Sequence, residues 1–332
     1  MRRFSGIEKG NLIMPLLEVK NLSVRYKVRS AWFRKPRYLQ AVNDVSFSLE
    51  RGETLGLVGE SGCGKSTLGK ALVKLETPCA GEILLDGKDL IRAKGHELKQ
   101  MRKQFQMIFQ DPYGSLNPRL SIFSSLDEVI SMHNRLPGSR RREKAAELLE
   151  MVGLTAEALN RYPHQFSGGQ RQRIGIARAL AANPDFIVAD EPVSALDVSV
   201  QAAIVNLLQE IQEKRHTSFL FIAHDLAVVE HISARILVMY LGNIVECAPA
   251  RELVSSPRHP YTQALLSAVP SPGKGLQNRI RLTGDVPSPL APPSGCPFHE
   301  RCPFARERCK VEKPPVTVIN DGGRSFACWY PR

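Results

Sequence analysis

The stretch GLVGESGCGKSTL, residues 56–68, constrains this chain more than any other segment. Gly59, Gly64, Lys65 and Ser66 fall at the spacing GxxxxGK(S/T), behind the apolar segment TLGLV and ahead of TLGKALVKL, which can form a helix. A phosphate cradle needs this context. A buried strand delivers the loop, glycines let successive backbone N–H groups curl round one anion, and the next helix turns its positive end to the same point. The candidate nucleotide contacts are therefore Gly59, Glu60, Ser61, Gly62, Cys63, Gly64, Lys65, Ser66 and Thr67, with Lys65 reaching terminal phosphates and Ser66 a magnesium ion. Cys63 reads as a passive small side chain. A plain glycine turn between strand and helix explains the glycines but leaves the lysine and the spacing unexplained.

At 332 residues, with 43% hydrophobic and 23% charged composition, the chain can bury a full core and carry an appendage. No apolar run approaches the roughly eighteen residues of a membrane-spanning helix. The start MRRFSGIEKGNLIM has no apolar run behind its arginines, so it does not read as a secretory signal, and Met14 offers an alternative start. The net charge of +12 is unevenly placed: residues 1–52 hold 11 Lys/Arg against 4 Asp/Glu, residues 270–332 hold 10 against 5, and the middle is balanced at 24 against 24. Basic ends on a neutral body suit a face near anionic lipid or a membrane partner. A nucleic-acid groove needs its charge along the binding surface, so no nucleic-acid partner is expected.

A phosphate loop alone leaves several nucleotide-hydrolysing classes open, and DFIVADEPVSALD at 185–197 narrows them. An apolar strand ends in Asp190, where a carboxylate can hold magnesium, and Glu191 follows at the open end, placed to activate a water. Phosphoryl transfer needs little covalent help, so these two with the metal and the lysine are nearly a full catalytic set. Between the motifs, QFSGGQRQRIGIARAL at 165–180 reads as a serine-capped helix start, with Ser167, Gly168, Gly169 and Gln170 offering a second anion site. An ordinary capped surface helix is the plainer reading of that segment by itself.

Together and in this order, these motifs resemble the nucleotide-binding subunit of an ABC transporter, over about residues 16–332. The resemblance implies an α/β P-loop fold of ABC type: a RecA-like core with an antiparallel β subdomain, a helical subdomain and a C-terminal extension. It implies a tail at 1–15, an ATPase domain at 16–250 with its helical subdomain at about 111–175, and an extension at 251–332. It makes GESGCGKST the Walker A loop, SGGQR the signature and IVADE the Walker B strand. Gln110 in MIFQDP matches the Q-loop and joins Ser66 and Asp190 as a magnesium contact, Asp197 in SALD matches the D-loop, and His224 in FIAHD matches the switch histidine. Tyr26 matches the aromatic that stacks on adenine, with Trp32 and Phe33 as competitors and strand-end packing as the plain alternative. The implied catalytic set is Glu191, His224, Lys65 and Gln110, acting on ATP with Mg2+ in a two-subunit sandwich.

PRHPYTQALLSAVPSP at 257–272 and VPSPLAPPSGCPF at 286–298 resemble the extension of the oligopeptide, dipeptide and nickel uptake branch, most like its dipeptide-type F subunit. The implied partners are a homologous ATPase subunit, two transmembrane permease subunits and an extracytoplasmic solute-binding protein, with the chain peripheral on the cytoplasmic face of the inner membrane. The implied activity is ATP hydrolysis driving import of short peptides. A nickel complex, a heme precursor or an antimicrobial peptide remain alternative solutes, and a soluble, non-transport ABC ATPase is a rival of another class. Cys296, Cys302, Cys309 and Cys328 are separated by five, six and eighteen residues. Four thiolates without CxxC knuckles suit an iron–sulfur cluster, and zinc, with His299 as an alternative ligand, or no metal at all are the other readings. Members of the resembled branch carry a 4Fe-4S cluster here. Cys79 and Cys247 read as buried small residues.

Overall fold

The structure is a computed structural model that describes residues 14–28, 37–133, 136–194, 196–268, 280, 282–319 and 323–332. The expected N-terminal tail, Trp32 and Phe33 lie outside these residues, apart from the tail's last two positions. β1 (Leu17–Val28) and β2 (Arg37–Leu49) pair antiparallel, and the chain then enters β3 (Thr54–Val58), the phosphate loop and α1 (Lys65–Leu72). β4 (Ala80–Leu85) and β5 (Lys88–Asp89) return beside β1, giving a four-stranded sheet in the order β2-β1-β4-β5. After α2 (Gly95–Met101) and β6 (Phe105–Ile108), a helical insert of α3 (Pro112–Ser115), α4 (Ile122–His133), α5 (Gly138–Met151) and α6 (Gly168–Leu180) leads into β7 (Phe186–Asp190). Then come α7 (Val198–Arg215), β8 (Ser218–Ile222), α8 (Leu226–Ile232), β9 (Arg235–Tyr240) and β10 (Asn243–Pro249).

The central sheet runs β9-β3-β8-β7-β6 with every neighbouring pair parallel. TLGLV, FIVAD and SFLFI are buried at every position. A parallel sheet is covered on both faces, which is why these strands read as unbroken apolar runs where an exposed sheet would alternate. Their carboxyl ends lie along one edge, and the phosphate loop, Glu191 and His224 all emerge there. Open parallel sheets gather ligands at that edge.

The residues after 250 extend this sheet. α9 (Ala250–Ser255) and α10 (Pro260–Ser267) follow β10, and after α11 (Glu307–Val311) the strands β11 (Thr317–Ile319) and β12 (Arg324–Phe326) add to its far edge, with Glu246 opposite Phe326 and Cys247 opposite Ser325. The contact is held by a buried carboxylate. Glu246 is fully buried and accepts the backbone N–H groups of Arg258 and His259, both at 2.8 Å, and the Arg324 guanidinium at 3.4 Å. Such a group is tolerated only because its oxygens are paired. His259 in turn caps α10, its Nδ1 accepting from Tyr261 N–H at 3.1 Å, and full burial pushes its imidazole down to about 3.

Phe298 anchors the extension in the core. It is 1% exposed and meets Tyr240 edge-on at 5.2 Å between ring centroids, with Tyr261 at 5.3 Å and His259 at 5.7 Å. Deleting a ring from so closed a site leaves a cavity. Phe298→Ala is therefore expected to cost about 3–5 kcal/mol, read as a lowered denaturation midpoint and faster proteolysis after residue 280. An unchanged midpoint would show that the extension is not packed as described.

Candidate nucleotide site

The loop after β3 adopts a shape that only glycine permits at one decisive point. Gly64 has φ of 109°, and a Cβ there would lie 2.1 Å from the Ala41 carbonyl oxygen. From that turn α1 starts at Lys65, whose side chain is buried and whose Nζ donates to the carbonyls of Gly59 at 2.8 Å and Glu60 at 3.2 Å. The ammonium is thus braced across the loop, aimed where the N–H groups converge. A pocket of about 280 Å3 opens here, lined by Ser61, Gly62, Cys63, Gly64, Lys65, Ser66 and Thr67 together with Tyr26, Gln110 and Glu191. Gly59, Glu60, Asp190 and His224 do not line it. Burial pushes the Cys63 thiol up, in keeping with a passive small side chain.

The acidic end of β7 faces this pocket. Asp190 is 4% exposed and accepts from Ser66 Oγ at 2.8 Å. Its burial pushes the carboxyl up, the Ser66 hydrogen bond acts against that, and the neighbouring Glu191 charge adds to it. A divalent cation offsets that cost, so serine and aspartate together suit one. Glu191 sits at φ of 46°, a left-handed conformation that costs a non-glycine residue energy and recurs where a site demands it. Its Oε2 accepts from Gln110 Nε2 at 2.7 Å and lies 3.9 Å from His224 Nδ1. Carboxylate and amide from two strand ends therefore meet in the pocket, while the His224 imidazole stands 3.9 Å off and lines a neighbouring pocket with Gly59.

Tyr26 lines the same pocket from β1, and its hydroxyl donates to Thr67 Oγ1 at 3.4 Å. The structure does not bring the remaining candidates to it. Ser167 caps α6 in a reciprocal box, its Oγ accepting from Gln170 N–H at 3.3 Å while Gln170 Oε1 accepts from Ser167 N–H at 3.0 Å. Ser167 and Gln170 are exposed, and neither these nor Gly168, Gly169 or Asp197 lines the pocket. Asp197 instead caps α7, accepting from Val200 N–H at 3.0 Å. The two elements touch: a Cβ on Gly169 would come within 2.5 Å of Val200, so the glycine lets α6 approach the start of α7.

Two arginines of α6 went unnoticed in the sequence. Arg171, 6% exposed, donates from Nε to the Phe166 carbonyl at 2.9 Å and stacks over the Tyr113 ring at 3.5 Å, while Arg178 reaches the Ser115 carbonyl at 2.6 Å. They tie the helix to the segment after Gln110. Only the RQRxxxxR pattern hinted at this, since it places both side chains on one helix face.

Among the four late cysteines, Cys296, Cys302, Cys309 and Cys328 line one small cavity with His259, Phe298 and Tyr330. None is in a disulfide. Burial pushes the Cys296 thiol up to about 12 and raises those of Cys302 and Cys328. Yet among the described residues no three His, Cys, Asp or Glu side chains form a group that could hold a metal ion, so the expected metal site has no direct support in this geometry. Cys247 is buried as expected, whereas Cys79 is exposed, with its Sγ accepting from Arg25 Nε and donating to the Ser23 carbonyl, both at 3.3 Å. The pairing draws Cys79 to the rim of the sheet rather than into the core.

Residues 42–194 match the ABC transporter family, and residues 245–309 match the oligopeptide/dipeptide transporter, C-terminal region. The chain is 52% identical to the oligopeptide transport ATP-binding protein AppF of Bacillus subtilis, over 90% of this chain and 92% of that one. It belongs to the ABC transporter ATPases. To the dipeptide transport ATP-binding protein DppF of Haemophilus influenzae it is 48% identical, over 95% and 97% of the two chains. Among solved structures, the ADP- and phosphate-bound dimer of the ATP-binding cassette MJ0796 superposes with a TM-score of 0.63 at 30% identity, covering 71% of this chain and 99% of that one. An ABC ATPase hydrolyses ATP. Of the described helices in this one, none is long and apolar enough to cross a membrane.

Proposed function

We propose that this ATPase energises the import of short peptides, working with a homologous ATPase subunit, two permease subunits and an extracytoplasmic binding protein, from the cytoplasmic face of the inner membrane. The observation that carries the reading is the extension at 245–309, which matches the C-terminal region of oligopeptide/dipeptide transporters. In the catalytic step ATP lies on the Walker A loop, with Tyr26 against adenine. Lys65 balances charge on the β and γ oxygens, Glu191 takes the proton of the attacking water, and Gln110 and His224 hold Glu191 and the γ-phosphate in register. Ser66, Gln110 and Asp190 would hold magnesium, which would supply further charge neutralisation. The signature at Ser167–Gln170 does not line its own pocket, which suits a role on nucleotide held by the other subunit. The test is uptake of labelled di- and tripeptides by cells lacking this chain, complemented with wild type or Lys65→Ala. Uptake restored by wild type alone supports peptides; normal uptake without the chain points to another solute, such as a nickel complex.

The cysteines are proposed to hold a 4Fe-4S cluster, which would staple the extension's loops together. What supports this is that four free thiols line one cavity. Protein purified without oxygen is expected to carry about four iron and four acid-labile sulfide per chain, and Cys302→Ser to lose both. Zinc near one per chain, or no metal, would discard the cluster.

A further inference from the structure

The cysteine-bearing turn of the extension grips the phosphate loop. Arg301 ends the 3-10 turn His299–Arg301, directly before Cys302 and five residues after Cys296. Its Nη1 and Nη2 donate to Oε2 and Oε1 of Glu60 at 2.7 and 3.1 Å, across 241 residues of sequence. The Arg301 side chain is 8% exposed and that of Glu60 27%, so the pair is shielded from water and salt. The rest of Glu60 is held as well. Its N–H donates to the Tyr261 hydroxyl at 2.9 Å, and its carbonyl accepts from Lys65 Nζ at 3.2 Å. One loop residue thus joins the catalytic lysine to α10 and to the cysteine turn.

We propose that Arg301 is a positioning residue for ATP, acting through Glu60. It does two things. The bidentate fork fixes the side chain of Glu60 and with it the first half of the loop, so its N–H groups are oriented before nucleotide arrives. It also neutralises the Glu60 carboxylate, so the loop carries no unpaired negative charge. Phe298 wedges the same turn among Tyr240, Tyr261 and His259, so Arg301 cannot follow a moving loop without breaking aromatic contacts. The proposal rests on residues 59–67 binding ATP. It does not depend on the solute or on a metal at the cysteines.

The experiment is a double-mutant cycle on the full chain, with MgATP affinity measured by titration alongside the melting temperature without nucleotide. Arg301→Met is expected to weaken MgATP about tenfold, the loss of one hydrogen-bonded charge partner. Arg301→Lys, which restores charge without the fork, is expected to recover part of that loss. Because Arg301 acts through Glu60, Glu60→Gln/Arg301→Met is expected to bind MgATP no more weakly than Arg301→Met alone, the two losses failing to add. An arginine that does not act through Glu60 would leave the double variant weaker than Arg301→Met by the full Glu60→Gln loss, and a merely structural one would lower the melting temperature of Arg301→Met with MgATP affinity unchanged. Either result, or Arg301→Met binding like wild type, overturns the proposal. A wild-type chain that fails to bind MgATP would instead refute the nucleotide site itself.

Discussion

Glu191→Gln is expected to leave MgATP binding within a few-fold of wild type and to slow hydrolysis by about 10²–10⁴-fold, the range a positioned general base contributes. The substitution replaces one carboxylate oxygen by an amide nitrogen. The new side chain can still accept from Gln110 Nε2 through its amide oxygen and can occupy the same left-handed backbone position, because neither depends on charge. What disappears is the lone pair that takes a proton from water. Under the two-subunit reading, ATP then persists in a closed sandwich, so a chain that elutes as a monomer without nucleotide should dimerise with it. Single-turnover mixing separates chemistry from product release. If the bond-breaking step of Glu191→Gln runs at the wild-type rate, Glu191 is not the base, and His224 at 3.9 Å becomes the candidate.

How far such a site can be read before the fold is known depends on the range of its interactions. The phosphate loop was legible because its chemistry is local: spacing sets glycine turns, and the strand and helix on either side carry their own apolar signatures. The cap at Ser167 was legible for the same reason, since a serine followed three residues on by glutamine closes a box within one turn. Gln110 and Glu191 are 81 residues apart, and neither segment shows by itself that the two side chains meet; their 2.7 Å hydrogen bond exists because β6 and β7 are sheet neighbours. Arg301 and Glu60 were beyond reach altogether. In the sequence Arg301 is one of several basic residues in a basic tail, and nothing local marks it as the one that turns inward. Glu246 was missed similarly, because a carboxylate in NIVECAP looks like the polar face of a strand until Arg324 and two backbone N–H groups close over it. The extension was expected as an appendage to the core. Two of its large side chains, Tyr261 and Phe298, are almost wholly buried against Tyr240, an attachment that nothing local in the sequence displays.

Lys65→Ala is expected to lower kcat/KM for ATP by at least about 10²-fold, as removal of one preorganised donor to developing charge does. Two losses combine. The ammonium no longer meets the terminal phosphate oxygens. The brace between the Gly59 and Glu60 carbonyls also goes, so the loop that Arg301 and Tyr261 hold from behind is released from the front. Lys65→Arg separates them, because a guanidinium keeps the charge but not the compact shape that fits between two carbonyls in a buried site. If charge alone mattered, arginine would restore most of the rate; since geometry matters too, it should remain at least about tenfold impaired. Rates for both variants are to be measured at saturating and limiting MgATP, with the melting temperature of each as a control for folding. A Lys65→Ala chain that melts like wild type and hydrolyses within about tenfold of it would remove residues 59–67 from the active site, and with them the basis for Arg301 as a positioning residue.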